Sequence, residues 1–168
     1  MSAPLVILAT GGTGGHMFPA EALAGVLAER GYRLALITDH RGDAFSGVLG
    51  DLDTYRIRAG GLAGKNLISM LLSSSELAIG LIQARILLRK LAPQMVIGFG
   101  GYASVPTMLA AVFSGFAAAI HEQNAVLGRA NRLLASRVEK IATCFEVVAG
   151  VPKGMHARVV RTGMPVRP

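Results

Sequence analysis

The chain has little cysteine and few aromatic residues, and each shortage excludes a class of protein. Its 168 residues contain a single cysteine, Cys144, so no disulfide can form within the chain. We interpret Cys144 as a small hydrophobic residue at the end of a strand, in a chain that suits a reducing cytosol. Tryptophan is absent, and the sequence has no RNP-like aromatic motif, zinc-finger spacing or long basic run. These absences argue against nucleic acid as a partner.

Charge is also scarce, and the charge that is present is mostly basic. Charged residues make up 16% of the chain and hydrophobic residues 52%, which excludes a disordered protein. An apolar content of this kind is typical of a parallel sheet covered by helices on both faces. The 17 basic and 10 acidic residues give a net charge of +7, which favours phosphorylated substrates or anionic lipid.

The sequence predicts neither a signal peptide nor a transmembrane span. Residues 1–4 carry no basic group ahead of the first apolar run. Residues 91–120 lack charge altogether, but prolines and glycines divide this stretch into pieces too short to cross about 30 Å of hydrocarbon. We expect it to form a strand, a loop, a helix and another strand.

Apolar strands and helical patterns alternate along the chain. The predicted strands lie near 4–9, 33–38, 54–58, 95–98, 116–120, 139–143 and 157–161. The predicted helices lie near 18–30, 67–91, 104–114 and 127–136, with a short helix near 43–48. Successive βαβ units with right-handed crossovers predict an α/β fold with a doubly wound parallel sheet. Such sheets bind ligands at the carboxyl ends of their strands.

Two glycine-rich loops each join an apolar strand to a helix. The first spans residues 11–16 (Gly-Gly-Thr-Gly-Gly-His), and the second spans 98–104 (Gly-Phe-Gly-Gly-Tyr-Ala-Ser). Without Cβ atoms, backbone N–H groups can approach a ligand closely, and the following helix adds its positive end. Two such loops in one domain predict a phosphorylated ligand such as a diphosphate.

Polar side chains in these loops are candidate ligand contacts. His16 lies at a predicted helix start, where the dipole keeps an imidazole neutral and available as a base. Thr13 offers a hydroxyl among exposed N–H groups, or only a local backbone hydrogen bond. Tyr102 and Ser104 repeat the pattern in the second loop, where Ser104 could equally be a helix N-cap.

Four consecutive polar residues, 121–124 (His-Glu-Gln-Asn), follow the predicted fifth strand. We expect some of them to face ligand and others to support the loops. Dinucleotide binding is the competing interpretation, since Asp39 closes the second strand where a ribose-binding carboxylate would sit. The first loop, however, does not fit Gly-x-Gly-x-x-Gly.

The predicted helix 67–91 carries apolar residues nearly all round, with Arg85, Arg89 and Lys90 toward its end. It is either a well-buried helix, or an exposed apolar patch fringed by Lys65 and these bases that touches anionic lipid. The residue pattern alone leaves both interpretations open.

The chain resembles the MurG family of bacterial N-acetylglucosaminyltransferases. The resemblance rests on three motifs in order: Gly-Gly-Thr-Gly-Gly-His-x-x-Pro-Ala at 11–20, Gly-x-Gly-Gly-Tyr-x-Ser-x-Pro at 98–106 and His-Glu-Gln-Asn at 121–124. It implies a two-domain glycosyltransferase of the GT-B type, in which each domain is Rossmann-like. The family transfers GlcNAc from UDP-GlcNAc to the C4 hydroxyl of MurNAc in lipid I, with inversion, and makes lipid II for peptidoglycan synthesis.

The resemblance also implies roles for individual residues. His16 matches the histidine proposed to deprotonate the acceptor hydroxyl. Positions that match UDP-GlcNAc contacts are Thr13, Gly14, Gly15, Asn124 and Arg167. Further substrate-binding candidates are Gly100, Gly101, Tyr102, Ser104, His121, Glu122 and Gln123. The glycine loops could alternatively hold the lipid I diphosphate. No metal and no cofactor is implied.

The resemblance further implies a peripheral protein that contacts the inner membrane at its cytoplasmic face. The resemblance favours helix 67–91 as the contact, with the candidates Lys65, Met70, Leu71, Leu77, Leu81 and Arg85.

The match covers the amino-terminal half of the family's enzyme. Residues 1–163 would form the acceptor-binding domain, and 164–168 the start of a linker to a donor-binding domain that the chain does not include. We therefore expect little or no transferase activity from the chain alone, and the missing domain is an expected partner alongside UDP-GlcNAc, lipid I and the membrane. The alternatives are a nucleotide-cofactor-binding oxidoreductase domain and a non-catalytic membrane-docking module.

Overall fold

The structure, a computed structural model, describes residues 3–11, 14–40, 47–60 and 67–165, without the side chains of 67–72. In these ranges the strands are β1 (Leu5–Ala9), β2 (Arg33–Thr38), β3 (Asp53–Arg56), β4 (Met95–Gly98), β5 (Ala118–Glu122), β6 (Lys140–Thr143) and β7 (Val159–Arg161). The α-helices are α1 (Gly14–Glu29), α2 (Leu67–Leu91), α3 (Ser104–Phe113) and α4 (Arg129–Leu134).

The seven strands form one parallel sheet in the order β3-β2-β1-β4-β5-β6-β7. The chain winds outward from β1 to β3, then returns to the other side of β1 with β4. This order confirms the predicted doubly wound α/β fold. Since the winding reverses between β1 and β4, the loops that follow these two strands border the crevice where such sheets bind ligands.

Side chains that alternate along the strands build a separate core on each face of the sheet. In β1, Leu5, Ile7 and Ala9 belong to one buried cluster, while Val6 and Leu8 belong to the other. The first cluster includes Ala84 and Leu88 of α2 and Met108 of α3. The second includes Ala20 and Ala24 of α1 with Leu36 and Phe99. Both faces of the central strands are therefore dry, which explains their near-continuous apolar sequence.

Several element bounds differ from the sequence prediction. Helix α1 begins at Gly14 rather than near residue 18, so the second half of the first glycine loop is already helical. Strand β5 runs to Glu122 rather than ending at Ile120, because His121 and Glu122 pair with Ala142 and Thr143 of β6. Strand pairing thus overrides the polar character of these two residues.

Other bounds agree closely with the prediction or fall partly outside the described ranges. Helix α2 and strand β4 have the predicted limits, while α4 is shorter than the predicted 127–136. The short helix predicted near 43–48 lies mostly outside the described residues, which begin again with a 3₁₀ turn at Gly47–Leu49. No helix in the described ranges is long and apolar enough to cross a membrane.

Candidate functional site

The two glycine loops touch each other beyond the ends of β1 and β4. A Cβ placed on Gly11 would lie 3.7 Å from the Cα of Gly101. Gly100 and Gly101 have φ angles of +93° and +77°, a region that favours glycine. This close backbone contact brings the helix that follows the first loop against the turn of the second.

The His16 ring lies directly on Gly100. A Cβ on Gly100 would stand 3.0 Å from His16 Nε2 and 2.8 Å from Cδ2, and the second distance is closer than real Cβ contacts. His16 comes from the first turn of α1, and Gly100 from the loop after β4. The absence of a side chain at Gly100 therefore leaves room for the imidazole in this position.

A cavity of about 220 Å³ opens beside this contact, and its lining comes from both glycine loops and from the segment after β5. The lining residues are His16, Gly100, Gly101, Tyr102, Glu122, Asn124, Gly128, Arg129, Ala130 and Asn131. Predicted site residues from all three sequence motifs thus meet at one cavity at the carboxyl edge of the sheet.

Glu122 organises the polar wall of the cavity. Its carboxylate is 1% exposed and accepts four hydrogen bonds. Oε1 accepts from the backbone N–H and the side-chain amide of Asn124, at 3.0 and 2.9 Å. Oε2 accepts from the Gly128 N–H at 2.8 Å and from Asn131 Nδ2 at 3.0 Å. A buried carboxylate with this many donors is well satisfied, and it fixes Asn124 at the cavity mouth.

Asn131 is a site residue that the sequence analysis missed. Its Nδ2 bridges the His121 carbonyl and Glu122, both at 3.0 Å, while its buried Oδ1 has no partner among the described residues. The residue lies in α4, seven positions beyond the 121–124 motif, and is 2% exposed. A polar residue at a core position of a short helix was the signal that could have found it.

Burial lowers the pKa of His16, and the nearby Glu122 carboxylate opposes this by raising it. Because desolvation is the larger effect, His16 is neutral near pH 7. A neutral imidazole that lines a cavity can accept a proton from a bound hydroxyl.

The other members of the polar motif support the site from behind. His121 is 4% exposed and stacks at a tilt on Phe99, with ring centroids 5.7 Å apart. Gln123 donates from Nε2 to the Phe99 carbonyl at 2.9 Å, which ties β5 to the second glycine loop. His121 and Gln123 do not line the cavity.

The remaining substrate-binding candidates are spread more widely. Ser104 is buried and donates its hydroxyl to the Gly101 carbonyl at 2.9 Å, so it closes the second loop, and Ala103 is the N-cap of α3. Gly14 and Gly15 are exposed at the start of α1 and outside the cavity lining. Thr13 and Arg167 lie outside the described residues.

The candidates for membrane contact lie on or near α2. Leu77 and Leu81 are half-buried and Arg85 is exposed. The side chains of Met70 and Leu71 and the whole of Lys65 lie outside the described part. Among the side chains of α2 that the structure describes, the exposed large apolar residues are Ile79, Ile82 and Ile86, of which Ile86 is 65% exposed.

Together, the doubly wound sheet and the polar cavity at its switch point define a Rossmann-like ligand-binding domain. The family model for the glycosyltransferase family 28 N-terminal domain matches residues 6–143. The chain therefore belongs to glycosyltransferase family 28.

Relatives in two bacteria carry the name UDP-N-acetylglucosamine--N-acetylmuramyl-(pentapeptide) pyrophosphoryl-undecaprenol N-acetylglucosamine transferase. The protein of Paramagnetospirillum magneticum is 63% identical over 98% of the chain, and that of Rhodospirillum rubrum is 59% identical over 100%. The chain spans 44% and 43% of the lengths of these relatives.

Solved structures share this fold. The crystal structure of Acinetobacter baumannii MurG superposes with a TM-score of 0.73 at 30% identity, over 89% of this chain and 47% of that one. The UDP-GlcNAc 2-epimerase of Methanocaldococcus jannaschii has a TM-score of 0.68 at 13% identity, over 96% of this chain and 45% of its own. The second likeness shows the fold alone. The resemblance to MurG noted in the sequence is thus confirmed at the level of the family.

Proposed function

We propose that the chain is the acceptor-binding half of an inverting transferase that moves GlcNAc from UDP-GlcNAc to lipid I. The observation that carries this proposal is the meeting of His16, Asn124 and the second glycine loop at one cavity. The relatives, whose names describe this transfer, are more than twice as long as the chain. The donor-binding half would come from the remainder of such a protein.

His16 is the proposed general base. In a single displacement, the acceptor C4 oxygen bonds to the anomeric carbon of GlcNAc while the bond from that carbon to the UDP oxygen breaks. The hydroxyl proton passes to an imidazole nitrogen of His16, and UDP leaves with the electron pair. Burial holds the pKa of His16 low enough to keep the ring unprotonated before the reaction, as a base requires.

The backbone of the glycine loops is the proposed anion contact. Gly100 and Gly101 line the cavity without Cβ atoms, so a diphosphate can approach their backbone closely. The exposed start of α1 at Gly14 and Gly15 adds the N–H groups of a first helical turn and the positive end of a long helix. Such groups suit either the UDP or the lipid I diphosphate.

The test is GlcNAc transfer from UDP-GlcNAc to a soluble lipid I analogue. The chain would be assayed alone and with the separately expressed carboxyl-terminal domain of the Paramagnetospirillum magneticum relative. We expect turnover only in the mixture, lost in His16→Gln and retained in the control His156→Gln, which changes an exposed histidine. No turnover from a mixture shown to be folded and associated would overturn the proposal.

We further propose that α2 contacts an anionic membrane surface, which would make the protein peripheral at the cytoplasmic face of the inner membrane. Ile79, Ile82 and Ile86 follow one face of the helix at intervals of three and four and are all exposed. Arg85, Arg89 and Lys90 are exposed beside them. An apolar row bordered by basic side chains is the pattern of a helix that lies in a lipid interface.

Vesicle co-sedimentation tests the α2 surface. We expect the chain to sediment with vesicles of phosphatidylglycerol and phosphatidylethanolamine, and the double variant Ile82→Glu, Ile86→Glu to remain in solution. Val26→Glu, which changes a 43% exposed residue of α1, is the matched control and should sediment. Equal sedimentation of the double variant and the control would assign membrane contact to another surface.

A further inference from the structure

A second cavity adjoins the candidate site and shares part of its wall. This cavity measures about 200 Å³ and is lined by Tyr102, Val105, Arg129, Ala130 and Leu133. Tyr102, Arg129 and Ala130 also line the first cavity. The two spaces are therefore neighbours that share these three lining residues.

The two cavities differ in chemistry. The first is walled by the Glu122 network and by backbone of the glycine loops. The second adds two aliphatic side chains, Val105 from the first turn of α3 and Leu133 from α4. Leu133 lines this cavity and is 44% exposed, so a bound molecule could cover it. The first space is thus the more polar of the two, and the second is the more apolar.

Arg129 stands at the junction of the two cavities. Its side chain is exposed, and within the described ranges the guanidinium makes no hydrogen bond or ion pair. The carboxylate that shares the first cavity, Glu122, already accepts four hydrogen bonds from other groups. Arg129 is therefore available to an anion that enters from solvent, and its planar fork suits phosphate oxygens.

The apolar wall continues away from the junction along α3. Val105, Leu109 and Phe113 follow one another at intervals of four, which places them on one face of the helix. Their exposure increases along this row, from buried Val105 through half-buried Leu109 to Phe113 at 62%. An aliphatic chain that leaves the second cavity along this face would meet apolar surface up to the end of α3.

We propose that Arg129 binds the diphosphate of a polyprenyl diphosphate and that the second cavity holds the first isoprenoid units. An anionic group attached directly to an apolar chain matches a cation placed between a polar and an apolar cavity. This inference rests on the proposed function, since the pyrophosphoryl-undecaprenol named for the relatives is such a molecule. The sugar on the other end of the diphosphate would then lie in the first cavity, on the side of His16.

Binding to this chain can be measured without transferase activity. The probes are geranyl diphosphate, which carries two isoprenoid units, and inorganic pyrophosphate, each titrated in a calorimeter. We expect geranyl diphosphate to bind about tenfold more tightly, which corresponds to burial of a few methylene groups. Leu133→Ser should remove most of this preference and leave pyrophosphate binding unchanged. Arg129→Gln should weaken both probes by a similar factor of about ten.

Two control variants match these changes. Val26→Ser shortens an aliphatic residue of α1 that is 43% exposed, and Arg33→Gln removes an exposed cation at the start of β2. Both should bind the probes as the unaltered chain does. If Leu133→Ser does not fold, Leu133→Gln keeps the side-chain size and makes the same comparison. Equal affinity for the two probes, or an unchanged preference in the Leu133 variant, would overturn the assignment of the second cavity.

The outcome is independent of the proposed transferase reaction. Probe binding requires neither UDP-GlcNAc nor a second domain, so an inactive reconstituted mixture with intact probe preference would reject the transferase and leave the polyprenyl site standing. If transfer is active and Leu133→Ser does not change the preference among acceptors of different chain length, the transferase stands and the polyprenyl site is rejected.

Discussion

Gly100 and His16 fit together because Gly100 has no side chain. A Cβ at Gly100 would stand 2.8 Å from His16 Cδ2, and the φ angle of +93° is itself unfavourable for other residues. The second glycine loop therefore provides the surface on which the ring of the proposed base rests.

Comparing Gly100→Ala with Gly115→Ala separates the contact with the His16 ring from the strain of a positive φ angle. Gly115 also has a positive φ, +77°, but a Cβ added there would meet no described atom within 4 Å. We expect each alanine to cost about 1–2 kcal/mol in the free energy of unfolding from the left-handed backbone alone. Gly100→Ala should cost about 1–3 kcal/mol more, because the added methyl group displaces the His16 ring. Urea denaturation measures both, and equal losses would contradict the close contact.

Glu122→Gln should destabilise the chain by about 1–3 kcal/mol. Each carboxylate oxygen accepts two hydrogen bonds, so one of the two pairs of donors would face an amide NH₂ group instead. The control is Glu146→Gln, whose side chain is 83% exposed and whose loss should stay within about 0.5 kcal/mol. Thermal and urea unfolding check the difference, and a Glu122 variant as stable as the Glu146 control would show that the network contributes nothing.

The fold was largely predictable from sequence because the strands and glycine loops carry strong local signals. The limits of α2 and β4 follow from apolar runs that end at residues 91 and 98. The end of β5 was not predictable, since His121 and Glu122 are polar and join the strand only through their pairing with β6. A local sequence pattern carries no information about a pairing strand that lies about twenty residues further along the chain.

The candidate site was predictable in its location but not in its internal roles. The motif at 121–124 indicates a functional strand end, yet only the packing separates Glu122 and Asn124, which line the cavity, from His121 and Gln123, which lie behind it. Arg129 and Asn131 were missed because each belongs to a short helix whose sequence gives no sign of what it packs against.

Stability should fall as the pH decreases from about 6.5, the ordinary pKa of histidine in an unfolded chain. Burial lowers the folded-state pKa values of both His16 and His121, so the unfolded chain binds more protons below pH 6.5. Their contribution is fully present above that pH and is lost as the pH falls toward the folded pKa values. Urea unfolding between pH 7.5 and 5.0 measures the decline.

The variant His121→Gln identifies part of this pH dependence. It removes one of the two imidazoles whose pKa is lowered by burial, so stability should vary less steeply with pH than in the unaltered chain. NMR titration of the remaining His16 ring should place its pKa below that of histidine in the urea-unfolded chain. A pKa equal to or above the unfolded value would contradict the burial of the ring.

Cys144 should react slowly with alkylating reagents in the folded chain. Burial raises the pKa of its thiol, and the charge of Glu122 raises it further, so less of the reactive thiolate is present at a given pH. The sulfur also lies 3.7 Å from both His121 Nε2 and Met164 Sδ, which restrict the approach of a reagent. We expect iodoacetamide at pH 8 to modify the folded chain more slowly than the urea-unfolded chain, because the raised pKa leaves less of the reactive thiolate. Mass spectrometry of timed samples follows the reaction, and equal rates in the two states would show that the thiol is neither shielded nor shifted.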